Sequence, residues 1–95
     1  MDLSAIAELK PQILEICGRH GVETIRVFGS VARGEATPDS DLDLLVTVGS
    51  NPGPWFPGGL IADLEDLLAC KVQVVTEAGL NAHLRDHVLS EAVPL

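Results

Sequence analysis

The chain has 95 residues, 46% of them hydrophobic, 21% charged and 3% aromatic, with 14 Asp and Glu against 6 Lys and Arg and a formal net charge of −8. That length allows one domain, burying roughly 60–65% of the surface its unfolded chain exposes, and the apolar content excludes a disordered chain. The cations are scattered singly from Lys10 to Arg85, so no basic stripe can neutralise a phosphate backbone and non-specific nucleic-acid binding is not expected, while no apolar run is long enough to cross a bilayer.

From Ser4 to Gly21, SAIAELKPQILEICGRHG places Ile6, Leu9, Ile13, Leu14 and Cys17 at helical spacing, with Ser4 as N-cap and Gly21 as stop. Pro11 suits a first helical turn and disfavours helix in the residue before it. The spacing therefore predicts a short turn near 4–9 and a firmer helix over 11–20. ETIRVF (23–28) alternates Ile25 and Val27 with polar residues, and LDLLVTV (42–48) is rich in β-branched and apolar residues, so both are expected as strands. GSNPGPWFPGG (49–59) is expected as a loop, and LIADLEDLLA (60–69) as a helix with Leu60, Ile61, Leu64, Leu67 and Leu68 on one face. KVQVVT (71–76) is the third expected strand. Asn81 to Glu91 then shows Leu84, Val88 and Leu89 at helical spacing, with Asn81 as N-cap and Pro94 beyond the end.

There is no internal repeat. Strands alternating with helices give an α/β (α+β) arrangement of about three strands and four helices, with helix packed on a small sheet, as a single domain over 1–95. Cys17 and Cys70 lack the spacing of a zinc or redox motif, and the start of the chain lacks the layout of a signal peptide. Both cysteines are expected to be reduced and buried, in a cytoplasmic protein.

Between the first two strands lies GSVARGEATPDSDLDL (29–44). Asp41 and Asp43 stand at i and i+2; if the strand has begun there, both side chains leave one face with Cα atoms roughly 6.5–7 Å apart, while Leu42 and Leu44 enter the core. Two such carboxylates can converge on shared cations, because magnesium takes oxygen ligands and paired ions sit about 3.5–4 Å apart in two-metal phosphoryl-transfer sites. Without a cation they repel. The plainer alternative is a solvated turn, since TPDSD is full of turn formers.

Gly29 and Ser30 end the first strand with a small residue, a hydroxyl and free N–H groups at a helix start, a corner that can hold a phosphate. Arg33, one turn on, could reach the same oxygens or could pair at the surface with Glu35 or Asp39. Gly34 is expected to end the turn. In so acidic a chain a nucleotide needs such local donors, or a divalent metal, to reverse the field, and a macromolecular partner is expected to be basic.

GSVARGEATPDSDLDLLV, with Gly29, Ser30, Arg33, Gly34, Ser40, Asp41 and Asp43 in place, resembles the Gly-Ser, ten residues, Asp-x-Asp signature of the DNA polymerase beta-like nucleotidyltransferase superfamily, specifically its minimal nucleotidyltransferases. HGVETIRVFGS before it and KVQVVTEAGLNAHLRDHVLSEAVPL after it resemble the same small proteins. The resemblance implies a nucleotidyltransferase fold on a small mixed sheet. It implies transfer of a nucleoside monophosphate, AMP from ATP, to an acceptor hydroxyl with pyrophosphate leaving. Asp41 and Asp43 would be catalytic and carry two Mg2+ ions, and Gly29, Ser30, Arg33 and Ser40 would bind the nucleotide. Minimal nucleotidyltransferases are commonly paired with HEPN-domain toxins as their antitoxins, so the implied partner is a HEPN toxin bearing the acceptor. A homo-oligomer is compatible with the sequence.

One position departs from the pattern. Active members usually carry a third carboxylate on the next core strand, and Gln73 stands there, a weak oxygen ligand and no general base. Three accounts follow: a slow enzyme with two carboxylates, an enzyme completed by its partner, or a binding module that kept the fold. Elsewhere, His83 and His87 have a zinc-compatible spacing but sit among Arg85 and Asp86 on what reads as a polar face, and His20 reads as a helix cap. Trp55 and Phe56, between Pro54 and Pro57, either anchor an interface or fold back over the core.

Overall fold

The computed structural model describes residues 1–50 and 52–95. Two helices open it: α1 (Leu3–Glu8) and α2 (Lys10–Arg19). Asp2, not Ser4, caps α1, its carboxylate accepting from the Ala5 N–H at 2.8 Å. The helix starts one residue before the expected turn, which moves Ser4 inside it. Pro11 lies in the first turn of α2, where its missing N–H costs no hydrogen bond, and Leu9 is the joint between the helices. His20 caps the end of α2 and Gly21 follows at φ +77°.

The sheet is built from β1 (Val22–Phe28), β2 (Leu42–Val48), β3 (Val72–Thr76) and β4 (Val93–Pro94), in the order β3-β2-β1-β4. β1 runs antiparallel to β2 and to β4, whereas β2 and β3 are parallel. That parallel pair needs a crossover, supplied by α4 (Gly58–Leu68). The short helix α3 (Gly29–Arg33) leaves β1 directly, and α5 (Ala82–Glu91) precedes β4, with Asn81 capping α5 through its side chain on the Leu84 N–H at 3.0 Å. Among the described residues the expected three strands and four helices thus become four strands and five α-helices. β4 escapes pattern reading because two residues cannot show alternation, and its Pro94 is tolerated only because the strand is an edge. The loop expected over 49–59 includes Asn51, which lies outside the described residues; its final residues, Gly58 and Gly59, already belong to α4.

Strand register sorts the side chains. Val27 pairs with Leu44 and Ile25 with Val46 on one face, where they are buried with Leu42 and Val72 against Ile6, Ile13, Ile16, Val31, Leu60, Leu64 and Leu68 of the helices. Phe28 pairs with Asp43, Arg26 with Leu45 and Thr24 with Thr47, which sets Asp43, Leu45 and Thr47 on the opposite face. Leu45 and Val88 of α5 are both buried yet stand outside the main cluster. α5 packs against α3, so it serves this second face.

Cys17 is buried, which pushes its thiol up to about 11, while Cys70 is only partly buried, contrary to expectation, because it lies in the connection after α4 rather than on its inner face. Both are free thiols. No described helix is long and apolar enough to cross a membrane.

Candidate active site

The strand-to-helix corner at Gly29 forms because β1 ends in an extended Phe28 and the chain turns at once into α3. Gly29 has φ +75°, a conformation that L side chains rarely adopt. A Cβ at this position would also overlap Asp43 Oδ2. Glycine is therefore required twice, once by the turn and once by the carboxylate beside it. Gly34, at φ +73°, closes α3 as expected.

Asp43 is the second residue of β2, and Asp41 lies just before the strand's first residue. Asp43 stands in register with Gln73 on β3, so both side chains leave the same face. Gln73 Nε2 in turn donates to Asp41 Oδ2 at 2.9 Å, which brings Asp41 onto that face as well. Leu42 and Leu44 are buried on the other side, as the alternation predicts. Burial and then the charge of Asp41 push the Asp43 carboxyl above its ordinary value; Arg33 opposes this and Glu91 adds to it.

Among the described residues no three His, Cys, Asp or Glu side chains lie close enough together to hold a metal ion. What the chain offers is the two-aspartate pair. This fits magnesium, which is typically held by one or two carboxylates and completes its shell with phosphate and water oxygens. Gln73 supplies an amide, not a third carboxylate, and its N–H₂ group already uses one Asp41 oxygen.

Arg33 reaches the same corner. Its Nε donates to Glu35 Oε2 at 3.1 Å, one of the two surface pairings expected, and its Nη1 donates to Glu91 Oε1 and Oε2 at 3.3 and 3.1 Å. Glu91 Oε1 also accepts from the Gly29 N–H at 2.9 Å. Burial alone would raise the Glu91 carboxyl, but the Gly29 N–H and Arg33 together hold it below the usual glutamate value. Glu91 had no signal in the sequence: it is simply the last residue of α5, 62 positions from Gly29. Ser30 sits in the first turn of α3. Ser40 Oγ accepts from the Thr37 N–H at 2.9 Å and closes the turn that leads into Asp41. A polar cleft of about 370 Å³ opens beside Asp41, between residues 38–41 and 69–71.

A family model described as "Nucleotidyltransferase domain" matches residues 10–95. The chain belongs to this nucleotidyltransferase family. It is 40% identical over 79 residues to the protein adenylyltransferase MntA of Thermococcus cleftensis, covering 83% of this chain and 80% of that one. A solved structure of a candidate minimal nucleotidyltransferase matches the whole chain and 97% of its own, at 47% identity and a TM-score of 0.87. A toxin–antitoxin crystal structure with AMP-PNP shares the fold, with a TM-score of 0.75 at 20% identity over 90% of this chain and 70% of that one. The expected minimal nucleotidyltransferase, on a small mixed sheet with helices, is thus the family and fold of this protein.

His20 Nε2 meets Asp63 Oδ2 at 2.7 Å and ties α2 to α4. His87 Nε2 lies 3.6 Å from Glu91 Oε2, one turn along α5. Trp55 is 77% exposed, whereas Phe56 packs against the core, the second of the two roles expected of the pair.

Proposed function

We propose that the chain is a metal-dependent protein adenylyltransferase, moving AMP from ATP to a hydroxyl of a partner HEPN-domain toxin and acting as its antitoxin. The observation that carries this reading is the shared face of Asp41, Asp43 and Gln73 set beside the oxyanion corner of Gly29 and Arg33. The name of the Thermococcus relative supports the reaction class. The likeness to a toxin–antitoxin assembly supports the fold on which such a partner could dock.

Asp41 and Asp43 would hold magnesium, with two ions expected. When bound, divalent cations neutralise charge on the phosphates and hold them for in-line displacement. The Gly29 N–H, the first turn of α3 with Ser30, and Arg33 would take the terminal phosphates; Ser40 would set the loop that aims Asp41. The acceptor oxygen would bond to the α-phosphorus as the bond to the bridging oxygen breaks and pyrophosphate leaves. Gln73 cannot take the acceptor's proton, so that proton would pass to water or to a group of the partner. Much of the catalysis is then positioning and electrostatics, which a small scaffold can supply.

One observation favours a second reading, a binding subunit without catalysis: Gln73 both lacks a basic oxygen and engages Asp41. The two are separated by incubating the chain with its co-purified partner, ATP and magnesium and weighing the partner. A mass increase of one AMP, absent with Asp43→Asn, supports the transferase. An unmodified partner whose toxicity is nevertheless neutralised supports the binding subunit.

A further inference from the structure

The corner assigned to the nucleotide's terminal phosphates already contains an oxyanion, and it belongs to the chain itself. Glu91 Oε1 takes the Gly29 N–H at 2.9 Å while both Glu91 oxygens face Arg33 Nη1 at 3.3 and 3.1 Å. The Glu91 side chain is only 15% exposed, so this is a seated group and not a surface side chain in passing. A backbone N–H has a single proton to donate. A phosphate oxygen and Glu91 therefore cannot both hold Gly29 at full strength. They also repel, close to Asp43, whose charge is already disfavoured by its surroundings.

We propose that Glu91 is a specificity-determining competitor for the phosphate corner: its carboxylate holds the Gly29 N–H and Arg33 until a magnesium-bound polyphosphate displaces it. This rests on the proposed nucleotide site. The corner is assigned to the terminal phosphates, so a triphosphate reaches it and displaces the carboxylate whereas AMP, which has no β or γ phosphate, leaves it in place. The displaced side chain has a place to go. His87 lies one turn back on α5, 3.6 Å from Glu91 Oε2, and is largely exposed, so a Glu91 released from Gly29 would keep a partner on its own helix. Arg33 carries further N–H donors and stays with Glu35 and the incoming phosphate.

The observed affinity is the intrinsic one reduced by the fraction of molecules with an open corner. Removing the carboxylate should therefore tighten triphosphate binding on the order of tenfold, the scale set by charge-assisted contacts on a partly exposed partner. Calorimetry with the non-hydrolysable analogue AMP-PNP in magnesium, and in parallel with AMP, tests this on wild type, Glu91→Ala and Glu91→Gln. The expected result is a dissociation constant for AMP-PNP about tenfold lower in Glu91→Ala, an intermediate value in Glu91→Gln, and no change for AMP. Glu91→Gln preserves the shape at the end of α5 and decides the matter if the alanine variant does not fold.

Unchanged or weaker AMP-PNP binding in the folded Glu91 variants would overturn the proposal, as would an equal tightening for AMP, which would mark a general charge effect. If wild type binds AMP-PNP and Asp43→Asn does not, while the Glu91 variants match wild type, Glu91 is no competitor but the nucleotide site stands. If neither wild type nor the Glu91 variants bind AMP-PNP, the nucleotide site falls and this proposal with it.

Discussion

Gly29 carries two demands that no other residue meets. Its φ of +75° disfavours any side chain, and the Asp43 carboxylate fills the space where a Cβ would stand. Gly29→Ala should lose about 1–2 kcal/mol from the backbone conformation alone, read from denaturant unfolding, and more if Asp43 must turn aside. Nucleotide binding should fall with it, because the displaced atom belongs to a proposed metal ligand. Acidity acts through Glu91. Its folded pKa is depressed, so its contribution to stability is fully present above the ordinary glutamate value and is lost as pH falls through the folded one. The difference in melting temperature between wild type and Glu91→Gln should therefore shrink as pH is lowered through that window. A difference that stays constant would show that the charge of Glu91 adds nothing to the fold. Asp43 has the opposite sign: its folded pKa is raised, so its ionised form costs stability above that pKa, and the cost vanishes below the ordinary aspartate value. A cation held at the proposed site would relieve the same cost at neutral pH.

At the scale of elements, α4 joins the helical layer to the sheet. Leu60 and Leu64 are fully buried, and α4 bridges the parallel strands β2 and β3 while Asp63 holds His20 at the end of α2. Leu64→Ala should cost about 2–5 kcal/mol in chemical denaturation, since a closed helix–sheet interface collapses only partly around a cavity. The amphipathic stripe of this helix, the alternation of β1 and the apolar run of β2 were all legible, because each is long enough for its period to show. β2 falls on 42–48 as expected, and Gly29, Gly34, Asp41 and Asp43 stand where the motif puts them. Short or long-range features were not legible. β4 has two residues, the cap of α1 lies two residues before the apparent pattern, and Glu91 reaches Gly29 only through the path of α5 across the fold. Ser40 is expected beside the nucleotide by its place in the motif, and its hydroxyl also accepts from the Thr37 N–H, closing the turn before Asp41. No periodicity encodes that bond.

For the whole molecule, a formal charge of −8 and a single exposed tryptophan define what a partner meets. Trp55→Ala removes a 77% exposed side chain, so unfolding free energy should stay within about 0.5 kcal/mol of wild type. Weaker partner binding in the same variant, measured by calorimetry, would assign Trp55 to the interface; a large loss of stability would return it to the core. The excess of carboxylates is also the reason the proposed nucleotide site would call for cations. Asp43 feels the charges of Asp41 and Glu91, and Arg33 opposes them. The most direct measurement is therefore a titration of wild type and Asp43→Asn with ATP in the presence and absence of magnesium, by calorimetry. Magnesium-dependent ATP binding by wild type, lost in Asp43→Asn while the variant stays folded, is the predicted result. Equal ATP binding by the two proteins, or binding indifferent to magnesium, would contradict it.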